Sequence, residues 1–130
     1  MNLHPDILTI IISYLTKKAL KISKNIIDKK AVIYSAKCGN LSILQWAQDN
    51  GIKCHGSICT IAAQNGYVDV LHWALNNDYF CDAWTHSSAA ENGHLNILQY
   101  LQNSGYSADS YTYSMAAKYG HLDIIKYLRS

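Results

Sequence analysis

Only one proline, Pro5, interrupts a chain of 130 residues in which 49% of the side chains are hydrophobic. Such a chain has the means to bury a core, which excludes a disordered polypeptide. No apolar run reaches the length of a membrane span. The longest, Ile7 to Leu15, is broken by Thr9 and Ser13 and is about half of what a transmembrane helix needs. Asp6 rather than lysine precedes it, so a secretory signal is excluded too. No GxSxG, HExxH or phosphate-binding loop occurs, and nothing supplies a cysteine or serine nucleophile with a base and an orienting acid. Enzymatic activity is therefore not expected. None of the four cysteines, Cys38, Cys54, Cys59 and Cys81, stands in a CxxC spacing. They could pair, but the rest of the chain supplies a core without them, and free thiols in a reducing compartment are the expectation.

The net charge of +2 hides an asymmetry. Residues 1 to 38 carry Lys17, Lys18, Lys21, Lys24, Lys29, Lys30 and Lys37 against Asp6 and Asp28, a local +5, whereas residues 39 to 130 carry four basic and seven acidic side chains, −3. A basic patch attracts phosphate or an anionic membrane surface. Here no arginine accompanies the lysines, so they read as a solvated helix face, and neither membrane nor nucleic acid is expected as a partner.

The chain repeats itself. "AAENGHLNILQYL" from Ala89 returns as "AAKYGHLDIIKYL" from Ala116, and in weaker form as "AAQNGYVDVLHWA" from Ala62 and "SAKCGNLSILQWA" from Ser35. Gly39, Gly66, Gly93 and Gly120 are each 27 residues apart, with no insertion or deletion between them. After each glycine an apolar stripe such as Leu95, Ile97, Leu98 and Leu101 marks an amphipathic helix. Before it, the pairs Ala62–Ala63, Ala89–Ala90 and Ala116–Ala117 close another short helix, where small side chains let backbones approach. Asp82 and Asp109 are placed to cap the start of that first helix, with His55 in the same register. The glycines end it in a left-handed conformation, and Gly51, Asp78 and Gly105 hold the corresponding place after the second helix. Each unit is thus a helical hairpin that cannot bury its apolar stripe alone. Neighbours must stack, and the fold class is all-α, an α-solenoid of stacked helix-turn-helix repeats. The expected organisation is an amino-terminal segment over 1–30 and repeats over 31–130, divided at about 31–55, 56–82, 83–109 and 110–130. The chain ends inside the last second helix, which reads as a short natural chain or a fragment of a longer array, with an end available to pair with another copy.

"DAWTHSSAAENGHLNILQYLQNSG", Asp82 to Gly105, resembles the short, 27-residue form of the ankyrin repeat that is abundant in giant DNA viruses of amoebae and in some protist proteins. The Ala-Ala-x-x-Gly-His-Leu core and the Asp-x-x-Thr boxes, Asp82 to Thr85 and Asp109 to Thr112, fall in register. The TPLH signature of standard ankyrin repeats is absent, and the resemblance implies little or no β-hairpin finger. It implies a non-catalytic protein-interaction scaffold, intracellular in the host cytoplasm, acting on a host or viral protein through loop tips and first helices, with no cofactor. "NLHPDILTIIISYL" resembles the opening of an F-box, with Leu3, Pro5, Asp6, Ile7, Leu8, Tyr14 and Leu15 matching and His4 in the usual proline position. An F-box is longer than the segment available before the repeat helices begin near Lys30. The same helix, carrying Ile7, Leu8, Ile11 and Leu15, reads as a cap over the first repeat. The two readings are compatible, and the F-box one implies a substrate-recruiting adaptor whose partner is the ubiquitin-ligase machinery.

Two groups of side chains remain as candidates for chemistry or binding. Cys54, His55, Cys59, Cys81 and His86 are ligand types that zinc accepts, but their spacing matches no ligand knuckle. Cys54 and Cys81 are one period apart and read as equivalent small apolar side chains, so no metal is expected. His94 and His121 sit in the Gly-His-Leu turn, where an imidazole can bond a neighbouring backbone group, and Tyr67 at the same place shows that no ligand is needed. Trp46, Trp73, Tyr100 and Tyr127 share one position of the second helix and read as packing. The protein-binding candidates are the aromatic and imidazole residues of the inter-repeat loops and of the first-helix starts: Tyr79, Phe80, Trp84, His86, Tyr106, Tyr111 and Tyr113. The Trp-Thr pair of the family, matched by Trp84 and Thr85, implies that Trp84 is at least partly framework.

Overall fold

The computed structural model describes residues 15–16, 29–52 and 58–130. From Lys29 on, the described residues form eight helices: α1 (Lys29–Lys37), α2 (Leu41–Asp49), α3 (Ile58–Asn65), α4 (Val68–Asn76), α5 (Ala83–Glu91), α6 (Leu95–Asn103), α7 (Ser110–Lys118) and α8 (Leu122–Arg129). No strand occurs among the described residues. Odd and even helices pair into four hairpins. The first helices stack closely from α1 through α3 and α5 to α7, while the second helices touch their neighbours more sparsely. This is the α-solenoid that the 27-residue period demands.

Local chemistry makes the hairpins. Asp82 accepts a hydrogen bond from the backbone N–H of Thr85 (3.2 Å) and Asp109 one from Thr112 (2.9 Å), so both carboxylates cap their helices as expected. At the other end the amide of His94 donates to Ala89 O (2.9 Å) and that of Gly93 to Ala90 O (3.4 Å), the paired bonds of a Schellman turn. The glycine between helices takes φ +76°, where a Cβ would strain the backbone. Second helices end the same way, as in Tyr79 N to Ala74 O at 3.0 Å across Asp78, a non-glycine residue at φ +62°. Aspartate tolerates that region better than most residues because its short side chain hydrogen-bonds locally.

Ala62, Ala63, Ala89, Ala90 and Ala116 are fully buried where first helices meet. Leu44, Leu71, Ile97, Leu98, Leu101 and Ile124 fill the space between the two helix layers as one continuous core. The packing role expected for the second-helix aromatics is also seen. Trp73 is buried and donates through Nε1 to Gln45 Oε1 of the preceding hairpin (3.0 Å); Tyr100 lies 2.6 Å from His72 Nδ1, and the Tyr127 hydroxyl donates to Gln102 Oε1. These bonds tie each second helix to the one before it. Trp46 packs against the core with its Nε1 buried and unpartnered.

The amino-terminal cap and F-box readings fall almost wholly outside the described residues. Leu15 and Thr16 are helical, and Leu15 is 56% exposed.

One expectation about the cysteines is corrected. Cys59 on α3 and Cys81 in the loop before α5 are joined as a disulfide, with Cα atoms 5.5 Å apart and both residues buried. The period made Cys54 and Cys81 equivalent. Stacking instead brings Cys81 beside the cysteine at the start of the preceding first helix. Cys38 is a free, exposed thiol, and Cys54 lies outside the described residues. Iodoacetamide added to the native, unreduced protein should therefore modify Cys38 and leave Cys59 and Cys81 unlabelled until reductant and denaturant are supplied, as read by peptide mass spectrometry. Labelling of Cys59 without reductant would refute the bond.

Candidate functional site

The seven residues proposed from sequence divide by exposure. Trp84 is 63% exposed, Phe80 73% and Tyr111 46%. Trp84 and Tyr111 occupy equivalent places in the first turns of α5 and α7, and stacking of those helices brings the rings together edge to face, with centroids 5.9 Å apart and planes at 82°. Phe80 lies in the loop that leads to α5. Trp84 and Tyr111 form an exposed aromatic edge, and Phe80 is exposed in the loop that precedes it.

The other four do not join it. His86 is buried at 5% exposure, its Nε2 without a hydrogen-bond partner, because α5 is flanked by α3, α6 and α7 and its residues Thr85 through Ala90 are all enclosed. Tyr79 is half-buried, its ring 5.5 Å from that of Trp73 and its hydroxyl donating to Gln48 Oε1 at 3.1 Å. Tyr106, one period on, also packs against the core. Tyr113 is half-buried and engaged by Arg129, whose Nε donates to the phenol oxygen at 3.1 Å. Each is part of the framework.

Exposed aromatics that sequence reasoning missed are Tyr34, 69% exposed on α1, and Tyr119, 46% exposed at the end of α7. Register carries a signal for Tyr119, since its counterparts Asn65 and Asn92 are polar and face outward. Leu122 is 67% exposed while its counterpart Leu95 is partly buried against the core.

The helix starts beneath the aromatic edge carry fixed negative charge. Asp82 accepts from Thr85 N and from Thr85 Oγ1 (3.3 Å), and Thr60 Oγ1 of the preceding first helix reaches the same oxygen at 3.5 Å. Asp109 accepts from Thr112 N and Oγ1 (2.8 Å), and these bonds, the backbone one foremost, hold its carboxyl below the usual aspartate range. A group with a lowered folded pKa contributes stability that is complete above its unfolded value and is lost as pH falls through the folded one. The difference in urea midpoint between the parent and Asp109→Asn should accordingly be present at pH 6 and shrink once pH drops below about 4. A difference independent of pH would show that the cap works without its charge.

At the carboxyl-terminal side of the first helices the imidazoles act as inter-repeat staples. His94 Nε2 donates to Gln64 O and His121 Nε2 to Glu91 O, both at 3.0 Å, each satisfying a helix-terminal carbonyl of the hairpin before. A carbonyl can only accept, so Nε2 carries the proton. The expected backbone bond is present, and it crosses between repeats.

Within the candidate zinc group, Cys59 and Cys81 are consumed by their mutual bond, and Cys54 and His55 lie outside the described residues. No group of three metal-ligating side chains forms among the described residues.

Stacked helical hairpins with Gly-His turns and an exposed aromatic edge define a repeat scaffold. The chain belongs to the ankyrin-repeat family: the family model for ankyrin repeats matches three copies over residues 59–130, more than half of the chain. Comparison with curated proteins finds no match. Ankyrin repeats mediate protein–protein interaction, and the array has the architecture of such a scaffold. No helix among the described residues is long and apolar enough to cross a membrane.

Proposed function

We propose that this chain is a non-catalytic scaffold that captures another protein through its exposed aromatics Trp84, Tyr111 and Phe80. The observation that carries the reading is the Trp84–Tyr111 pair. Two large aromatic rings meet each other and yet remain 63% and 46% exposed. Solvent exposure of this kind costs a protein apolar hydration and gains it nothing unless a partner covers the rings. Tryptophan and tyrosine anchor interfaces because they bury much area with little loss of rotamer freedom. The framework beneath is rigid, made of capped helices and stapled turns, so the edge is preorganised. Its resemblance to the short repeats of giant viruses makes a host or viral protein the partner to seek.

Incorporating a photo-crosslinking phenylalanine derivative in place of Trp84, and separately in place of exposed Gln99 on α6, tests this in cells that express the full chain. A protein trapped from position 84 and not from position 99 is the expected result. Equal trapping from both places, or none from position 84, would overturn the reading.

A further inference from the structure

From Cys54 to Ala117 the sequence holds no lysine and no arginine, but it holds Asp69, Asp78, Asp82, Glu91 and Asp109. The exposed aromatic edge lies inside this stretch. Asp82 stands two residues before Trp84, and Asp109 two residues before Tyr111, so each exposed ring has a carboxylate at the same helix start. Both carboxylates take their cap bonds through Oδ1 from neutral threonine donors, which leaves their charge uncompensated by those bonds. Two rings of the array already face cations of the chain itself: the Arg129 guanidinium lies 6.0 Å from the Tyr113 ring centre and Lys118 Nζ 5.3 Å from that of Tyr119. Among the described residues no such cation faces Trp84.

We infer that the Trp84–Tyr111 edge takes an arginine-bearing segment of its protein partner, with guanidinium groups stacking on the exposed rings and pairing with Asp82 and Asp109. This rests on the scaffold reading and specifies the chemistry of its partner. Indole is the strongest ring for cation–π attraction, and guanidinium is the cation that stacks on a face while its N–H groups still reach a carboxylate. A lysine ammonium can do one of these well, not both. A stretch with five acidic and no basic side chains from Cys54 to Ala117 favours encounter with a cationic segment over a phosphate-bearing one. Because Asp82 and Asp109 are already oriented by their cap bonds, a matching segment binds with little reorganisation of the site.

The test uses the full chain and fluorescein-labelled ten-residue peptides of alternating arginine–glycine, lysine–glycine and glutamate–glycine, read by fluorescence anisotropy at two salt concentrations. Binding of the arginine peptide, weaker binding of the lysine peptide and none of the glutamate peptide is expected. Trp84→Ala should weaken the arginine peptide about three- to ten-fold. The double variant Asp82→Asn, Asp109→Asn should do likewise and flatten the salt dependence, since asparagine can still accept the cap bonds through its Oδ1 while lacking the charge. Absence of arginine-peptide binding, equal binding of arginine and glutamate peptides, or indifference to Trp84→Ala would overturn the inference. So would a dimer in sedimentation velocity that Trp84→Ala dissolves, because the edge would then serve a second copy. If the crosslinker at position 84 traps a partner while the arginine peptide fails to bind, the scaffold reading stands and this inference falls; if both fail, both fall.

Discussion

Gly93→Val is expected to cost about 2–4 kcal/mol, among the largest effects available outside the core. Two separate penalties add at this one position. Gly93 has φ +76°, a conformation in which a β-branched side chain carries roughly 1–3 kcal/mol of strain. A Cβ placed there would also stand 2.7 Å from Cε1 and 2.9 Å from Nδ1 of His121. That ring cannot simply step aside, since its Nε2 is committed to Glu91 O at 3.0 Å, and releasing the bond forfeits about 0.5–1.5 kcal/mol. Gly120 supplies the internal control. It has φ +74°, but nothing lies within 4 Å of its added Cβ, so Gly120→Val should show the strain alone. Urea unfolding of the two variants beside the parent separates the terms, and Gly93→Val is expected to be worse by about 1 kcal/mol. Equal losses would mean that the histidine contact contributes nothing, and an unchanged midpoint in both would mean that the turns are built differently.

The pairing of glycine with the histidine of the next repeat explains why the phrase Ala-x-x-Gly-His-Leu recurs. Its glycine answers to the turn of its own hairpin and to the ring of the following one at once, and Tyr67 repeats the arrangement over Gly39 with its ring 3.0 Å from the added Cβ. The period, the caps at Asp82 and Asp109 and the turn residues, even Asp78 in place of glycine, were legible from sequence because each is set by a few neighbouring residues. The burial pattern of the first helices was not. Thr85, His86, Ser87, Ser88, Ala89 and Ala90 are six buried residues in succession, since α5 has neighbours on three sides, and a helix enclosed this way shows no apolar stripe. For that reason Trp84 and His86, two residues apart in one helical turn, looked alike as binding candidates, although one is largely exposed and the other enclosed. The Cys59–Cys81 bond was hidden for a related reason: comparison of repeats finds residues that are equivalent, whereas stacking joins residues that are not.

Leu71→Ala is expected to cost about 2–5 kcal/mol, the range for deleting a fully buried leucine from a core that relaxes incompletely. Leu71 is 0% exposed and sits on α4, with hairpins stacked on both sides of its own. The same register is held by Leu44, Leu98 and Ile125, which makes a graded experiment possible in one chain. Leu44 and Leu98 are 0% and 2% exposed, and Ile125, on the last helix, is only partly buried. In an array whose hairpins contact only their neighbours, the cost of a deletion should follow how many neighbours enclose the site. Leu71→Ala and Leu98→Ala should therefore each exceed Ile125→Ala, the last costing about 1–2 kcal/mol because its cavity is already open to water and collapses easily. Urea midpoints of the three variants, taken with unchanged slopes, give the comparison. If Ile125→Ala proved as costly as Leu71→Ala, stability would not be passed from hairpin to hairpin, and the continuous core between the helix layers would have to be replaced by independent clusters.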